Sequence, residues 1–239
     1  MRIQIIPCLQ DNYSYLIIDE YNNTACVIDP SEADPVIEYL ESNKIILKFI
    51  LNTHHHYDHV GGNQKLKEKY GANIIGYKGD KARIPGIDIL VNDQETWMCE
   101  NFEAKVIHVP GHTLGHICFY FYKEKSIFTG DTLFSLGCGK IFEGTYSQMF
   151  DSLMKLKELP QNTKVFCGHE YTKINSNFCK THDRNNKNLK AKINAIDIKL
   201  KDGLPTIPST IKDELECNIF LRLDNVEAFS KLRDLKDNF

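Results

Sequence analysis

Apolar positions in the first two thirds of the chain fall into short runs broken by turn residues. Residues 2–6, 13–18, 24–28, 45–51, 102–109, 116–122, 126–129 and 164–167 are rich in Ile, Val, Phe and Tyr and bounded by Gly, Pro, Asn or Asp, so each reads as a β-strand. The run Ile45-Ile46-Leu47-Lys48-Phe49-Ile50-Leu51 is almost continuously apolar, the pattern of a strand covered on both faces. Helical spacing interrupts them. Asp34 is placed to cap a helix that begins at Pro35 and turns Val36, Ile37 and Leu40 inward. A second helix covers 64–70 and stops at Gly71. Ser147 is the expected cap of a third, with Met149, Phe150, Leu153 and Leu156 on one face until Pro160 ends it.

Past residue 170 the texture changes. Leu189, Ile193, Ile196 and Leu200 mark one amphipathic helix, ended by Asp202-Gly203. After an irregular link through Pro205 and Pro208, Ser209 or Thr210 can cap a further helix. The pattern predicts a layered α/β domain over residues 1–168 and a small helical domain over 169–239.

Composition narrows the partners. The 239 residues, 42% hydrophobic and 26% charged, are those of a globular protein, and a formal charge of −3 gives no general attraction to nucleic acid or membrane. No run approaches the roughly 20 apolar residues of a membrane span, and the N-terminal apolar stretch is shorter than a signal peptide needs. The eight cysteines contain no CxxC pair and read as reduced core residues of a cytoplasmic protein. Eight Lys or Arg against two Asp between Lys173 and Lys201 read as a solvated helix face, with a region that attracts an anionic substrate as the alternative.

Chemistry is concentrated in Thr53-His54-His55-His56-Tyr57-Asp58-His59, directly after an apolar strand. In extended chain His54, His56 and Asp58 share a face while His55 and Tyr57 point the other way. His59 joins them where the chain turns, which Gly61-Gly62 would ease. Three imidazoles and a carboxylate converging there would be costly without a cation, and such donors suit zinc, iron or manganese. His112, Asp131 and His169 each follow a predicted strand and complete a set of seven. Seven ligands exceed the capacity of one ion of four- to six-fold coordination, so two are expected.

These residues resemble the metal motif of the metallo-β-lactamase superfamily. More narrowly, Gly137-Cys138-Gly139-Lys140, Phe142-Glu143-Gly144-Thr145, Gly168-His169-Glu170-Tyr171-Thr172, Pro205-Thr206-Ile207-Pro208 and Asn218-Ile219-Phe220-Leu221-Arg222 are similar to the glyoxalase II branch, the hydroxyacylglutathione hydrolases. The resemblance implies an αββα sandwich with a C-terminal helical domain, an active site between them, and hydrolysis of S-D-lactoylglutathione by a hydroxide shared between two metals. It assigns His54, His56 and His112 to one metal, Asp58, His59 and His169 to the other, and Asp131 as the bridge, with Asp58 and Asp131 the carboxylates closest to the chemistry. It implies that Lys140, Phe142, Tyr171, Asn175, Arg222 and Asn225 face the glutathione moiety, Arg222 as a carboxylate fork. Phe142 stands where some relatives carry Tyr, Asn225 where Lys is common, and Ile219 where Pro is usual. His55 is expected to turn away from the metals and His116 to support a ligand, leaving His108 and His182 as structural or surface residues. The expected state is a monomer with two divalent ions, zinc first. Competing readings are a lactonase or β-lactamase on the same metals, an iron-dependent persulfide dioxygenase with one metal, and a non-catalytic metal-binding module.

Overall fold

The computed structural model describes every residue from Met1 to Phe239, and packing divides it into two compact units, residues 1–108 with 115–124, and residues 109–114 with 125–239. In the first unit β1 (Arg2–Cys8), β2 (Asn12–Asp19), β3 (Thr24–Ile28), β4 (Ile46–Leu51), β5 (Asn73–Tyr77) and β6 (Ile89–Val91) lie side by side in chain order. The first three are antiparallel and the rest run parallel to β3. Parallel neighbours need crossovers, and helices α1 (Asp34–Ser42) and α3 (Asn63–Tyr70) supply the first two. Val36 and Leu40 of α1 and Leu66 of α3 are fully buried with Leu16, Val27, Leu47, Ile50 and Ile74. Each such side chain contributes about 1.5–3 kcal/mol, which outweighs the modest helix propensity of α1. The single helical turn α2 (Tyr57–Val60) precedes α3, and β7 (Thr96–Cys99), β8 (Phe102–His108) and β9 (Ile117–Phe121) form an antiparallel meander.

In the second unit β10 (Ser126–Gly130) runs parallel to β13 (Lys164–Cys167), which pairs antiparallel with β14 (Ser209–Thr210). Between β10 and β13 come a two-residue hairpin of β11 (Leu133–Phe134) and β12 (Gly137–Cys138), then helix α4 (Tyr146–Lys157). The tail contains α5 (Thr172–His182), α6 (Lys187–Lys201), α7 (Ile211–Cys217), a 3-10 turn (Ile219–Arg222) and α8 (Val226–Asp237). Leu136, Cys179, Leu189, Ile196 and Cys217 form their shared core. The buried Glu214 carboxylate accepts from the Leu136 amide (2.8 Å) and from Asn218 (2.9 Å), and Asn218 also donates to the Gly137 carbonyl (3.0 Å). Burial holds the Glu214 carboxyl above the usual range despite these bonds. Helix α7 thereby grips the glycine-rich hairpin.

Several local expectations shift. Asp34 begins α1 without capping it: Ala33 holds the cap position, and Asp34 sits in the first turn, where a carboxylate favours the helix dipole, paired with Lys65. Ser147 lies inside α4, and the cap is Thr145, in a reciprocal capping box with Gln148. Thr210, not Ser209, caps α7. Gly61 and Gly62 do not serve a left-handed turn, since Gly61 is right-handed helical. A Cβ at Gly61 would lie 2.5 Å from the Ser31 carbonyl oxygen, and one at Gly62 2.9 Å from that of Pro30, so these positions are small to let two backbones meet.

Candidate active site

Strand β4 delivers the ligand loop to its place. Beyond Leu51 the chain leaves the strand geometry, and Asp58 and His59 sit on the helical turn α2, so strand alternation does not bring them round. One residue outside the loop organises it. Asp29, at the end of β3, is buried with a left-handed φ of 45°. Its Oδ1 accepts from the Thr53 amide (2.7 Å), and its Oδ2 accepts from Thr53 Oγ1 (2.6 Å) and lies 2.9 Å from His59 Nδ1. His59 therefore carries its proton on Nδ1 and presents Nε2 as a lone-pair donor, 3.7 Å from Asp58 Oδ2. Thr53 Oγ1, having given its proton to Asp29, accepts from His54 Nδ1 at 3.0 Å, which fixes His54 in the same tautomer. His54 Nε2 then faces His56 Nδ1 at 3.1 Å, close to the roughly 3.3 Å edge of a tetrahedral site with metal–nitrogen bonds near 2.0–2.1 Å. Asn12 donates to Asp58 Oδ2 at 3.0 Å. The buried His116 ring stacks on His54, 4.6 Å between centroids at 20°, and His55 turns to Asp80 (3.1 Å).

Asp29, His54 and His59 each offer a ligand atom within 4.8 Å of the others. Because Asp29 already serves Thr53 and His59, its part is to aim the imidazoles. Buried imidazole nitrogens and a carboxylate oxygen are donors that fit a divalent cation of the zinc, iron or manganese kind.

The second unit carries His112, Asp131 and His169, each at most 6% exposed. His112 Nδ1 donates to the Lys140 carbonyl at 2.8 Å, leaving Nε2 3.5 Å from Asp131 Oδ2. His169 Nε2 lies 3.3 Å from the same oxygen. One carboxylate oxygen thus stands against two imidazoles. The Tyr171 ring lies flat on His169, 4.6 Å between centroids at 4°. A Cβ at Gly139 would fall 1.8 Å from the Asp131 carbonyl oxygen, so only glycine fits beside that strand end.

Beside these residues a cavity of about 280 Å³ is lined by Lys140, Tyr171, Asn175, Arg233 and Lys236 among others. Arg233 is buried, donates to the Cys138 carbonyl (2.8 Å) and pairs with Asp237 (2.9 Å). Burial, with the Arg233 guanidinium close by, holds the Lys236 ammonium below the usual lysine range. Asn175 is buried and donates to the Ser135 carbonyl at 3.1 Å. Phe142 is exposed, edge-on to His112. Arg222 and Asn225 are not among the residues lining this cavity: Arg222 pairs with Asp183, and the Asn225 side chain caps α8 by accepting from the Ala228 amide at 2.9 Å. The cavity's cations beyond Lys140 are Arg233 and Lys236, one helix further on. No local sequence signal marks them, because Arg233 stands four before Asp237, the spacing of an ordinary surface ion pair. Cys138 also lines the cavity, but burial raises its thiol pKa, and burial pushes Cys167 and Cys179 up to about 12, so none of these three thiols is a nucleophile at neutral pH.

Residues 10–169 match the metallo-β-lactamase superfamily, and residues 170–239 match the hydroxyacylglutathione hydrolase C-terminus. The chain is 75% identical to a hydroxyacylglutathione hydrolase of Pelagibacter ubique, with all of both chains covered. It is 45% identical to that of Rhodospirillum rubrum, covering all of this chain and 99% of the relative. Among solved structures, ETHE1 from Myxococcus xanthus superposes with a TM-score of 0.75 at 24% identity, covering 98% of this chain and 90% of that one. The BLEG-1 B3 metallo-β-lactamase superposes at 0.72 and 21%, covering 92% and 99%. These likenesses show the fold, an αββα metallo-β-lactamase sandwich carrying a C-terminal helical domain. With both segments matched and full-length relatives at such identity, the chain belongs to the hydroxyacylglutathione hydrolases of the metallo-β-lactamase superfamily.

Proposed function

We propose that this chain hydrolyses S-(2-hydroxyacyl)glutathione thioesters, S-D-lactoylglutathione foremost, to glutathione and D-lactate with two divalent ions, zinc first and iron or manganese as alternatives. The observation that carries the two-metal reading is Asp131 Oδ2, placed within 3.5 Å of both the His112 and His169 ring nitrogens. In this reading His54, His56 and His112 hold one ion, Asp58, His59 and His169 the other, and Asp131 joins them. Ions held by these residues would supply an acidified water and offset negative charge on a thioester carbonyl oxygen. The chain's own work is placement: Asp29 and Thr53 keep the lone pairs of His59 and His54 pointed inward, and the cationic cavity binds the substrate's carboxylates. Lys140, Arg233 and Lys236 supply charge there, and Tyr171 and Asn175 shape the wall. Residues 1–168 form the αββα metallo-β-lactamase-like domain and residues 169–239 the C-terminal α-helical domain that binds substrate. The protein acts as a cytoplasmic monomer; seven of its eight cysteines are buried, the setting of reduced core thiols.

The test is loss of thioester absorbance with S-D-lactoylglutathione, with and without chelator, beside elemental analysis after metal reloading. Chelator-sensitive turnover and about two ions per chain are expected. No turnover in the reloaded protein overturns the substrate, one ion per chain overturns the dinuclear reading, and oxygen uptake with a glutathione persulfide would favour the dioxygenase.

A further inference from the structure

Outside the ligand set lies a carboxylate that the reaction does not use. Asp80 ends the 3-10 turn Lys78–Asp80 that follows β5, and it is fully buried. Its Oδ2 lies 3.1 Å from His55 Nδ1, and its Oδ1 accepts from Arg83 Nε (3.0 Å) and Nη2. A Cβ on Gly115 would sit 2.0 Å from the same Oδ1, so the backbone there is pressed against the carboxylate. Both oxygens are occupied and one side is walled by main chain, which leaves the group no second position.

The two things Asp80 holds flank His54. His55 stands between His54 and His56 in the chain, so anchoring its ring fixes the backbone that aims both neighbours. Gly115 precedes His116, the ring stacked on His54. We propose that Asp80 is a positioning residue for the metal-ligand loop, acting through His55 on one side and through the Gly115-His116 backbone on the other, with Arg83 neutralising the buried charge. The proposal rests on the reading that the loop holds metal.

Partners one step removed from ligands typically alter metal affinity by 10–100-fold, and Asp80 acts through a further residue, so the lower end applies. Zinc competition against a chromophoric chelator should show Asp80→Asn and His55→Ala each binding about tenfold more weakly than wild type. The thermal midpoint of metal-free His55→Ala should match wild type, because that change leaves the Arg83–Asp80 pair intact. Gly115→Ala should weaken zinc binding in the wild-type background and have little further effect once Asp80→Ala has removed the atoms it strikes. Wild-type zinc affinity in Asp80→Asn or in His55→Ala overturns the inference. So does a loss in His55→Ala matched by a lower metal-free midpoint, which would mark a role in folding only. Failure of the wild-type protein to bind zinc would instead remove the metal reading itself.

Discussion

The two compact units hold their shares of the ligand residues by different means. In the first, four candidates lie within six positions, and most are gripped by a side chain from another element: Asp29 on His59, Asn12 on Asp58 and His116 on His54. In the second, His112, Asp131 and His169 come from three distant strand ends, and the support is backbone and shape: the Lys140 carbonyl on His112, the Tyr171 ring on His169, and the space kept by Gly139. A loop dense in ligands must be aimed side chain by side chain, since neighbouring residues naturally diverge. Ligands at strand ends are aimed by the sheet and need little else. The first arrangement should be adjustable by substitution, and the second should fail as a whole.

Four measurements test that contrast, beginning with the largest effect. Asp131→Ala should lower kcat by about a thousandfold or more, because the carboxylate standing against two imidazoles is lost. If Asp29→Asn proves more damaging in the same steady-state assay, the contrast is inverted. Asp29→Asn itself should cost about 10–100-fold in zinc affinity or turnover, since asparagine tolerates the backbone but cannot accept from Thr53 and His59 together. Third comes Lys236→Ala, for which KM should rise roughly fivefold with kcat little changed, the pattern of lost binding. In the parent protein affinity for the anionic substrate should fall as pH rises, at a lower pH than an ordinary lysine would give, because burial disfavours the ammonium. A pH-independent KM would remove Lys236 from the substrate's carboxylates. Smallest is Asn225→Lys, which should lower stability by about 1 kcal/mol in denaturant titration through loss of the α8 cap, without improving KM. A lower KM would return position 225 to the substrate.

What the sequence discloses follows the same line. The strands ending near His54, Asp131 and His169 are legible because apolar runs bounded by turn residues have few other readings, and Thr24–Ile28 and Lys164–Cys167 have the expected bounds. The ligand loop is legible because its members are neighbours. Strands β5 and β6 are not, since Gly76 interrupts β5 and β6 has only three residues. Asn12 and Asp29 are invisible since each lies far along the chain from the residue it serves, and nothing local distinguishes a carboxylate before proline from a turn. Arg233 and Lys236 are hidden for the opposite reason. On an amphipathic helix, a basic residue four before Asp237 reads as an ordinary surface pair, and only the fold reveals that it is buried.

Asp29 leaves evolution and protein engineering very little freedom. Its backbone conformation admits glycine, asparagine and aspartate at low cost, while its partners demand two acceptor oxygens. Only one of the twenty amino acids meets both demands. Glutamate has the oxygens without the backbone tolerance, and asparagine has the tolerance without the oxygens. A saturation library at this position should therefore yield a single fully active clone, and a search for variants with altered metal preference should leave it unchanged and vary Asn12 or His116 instead.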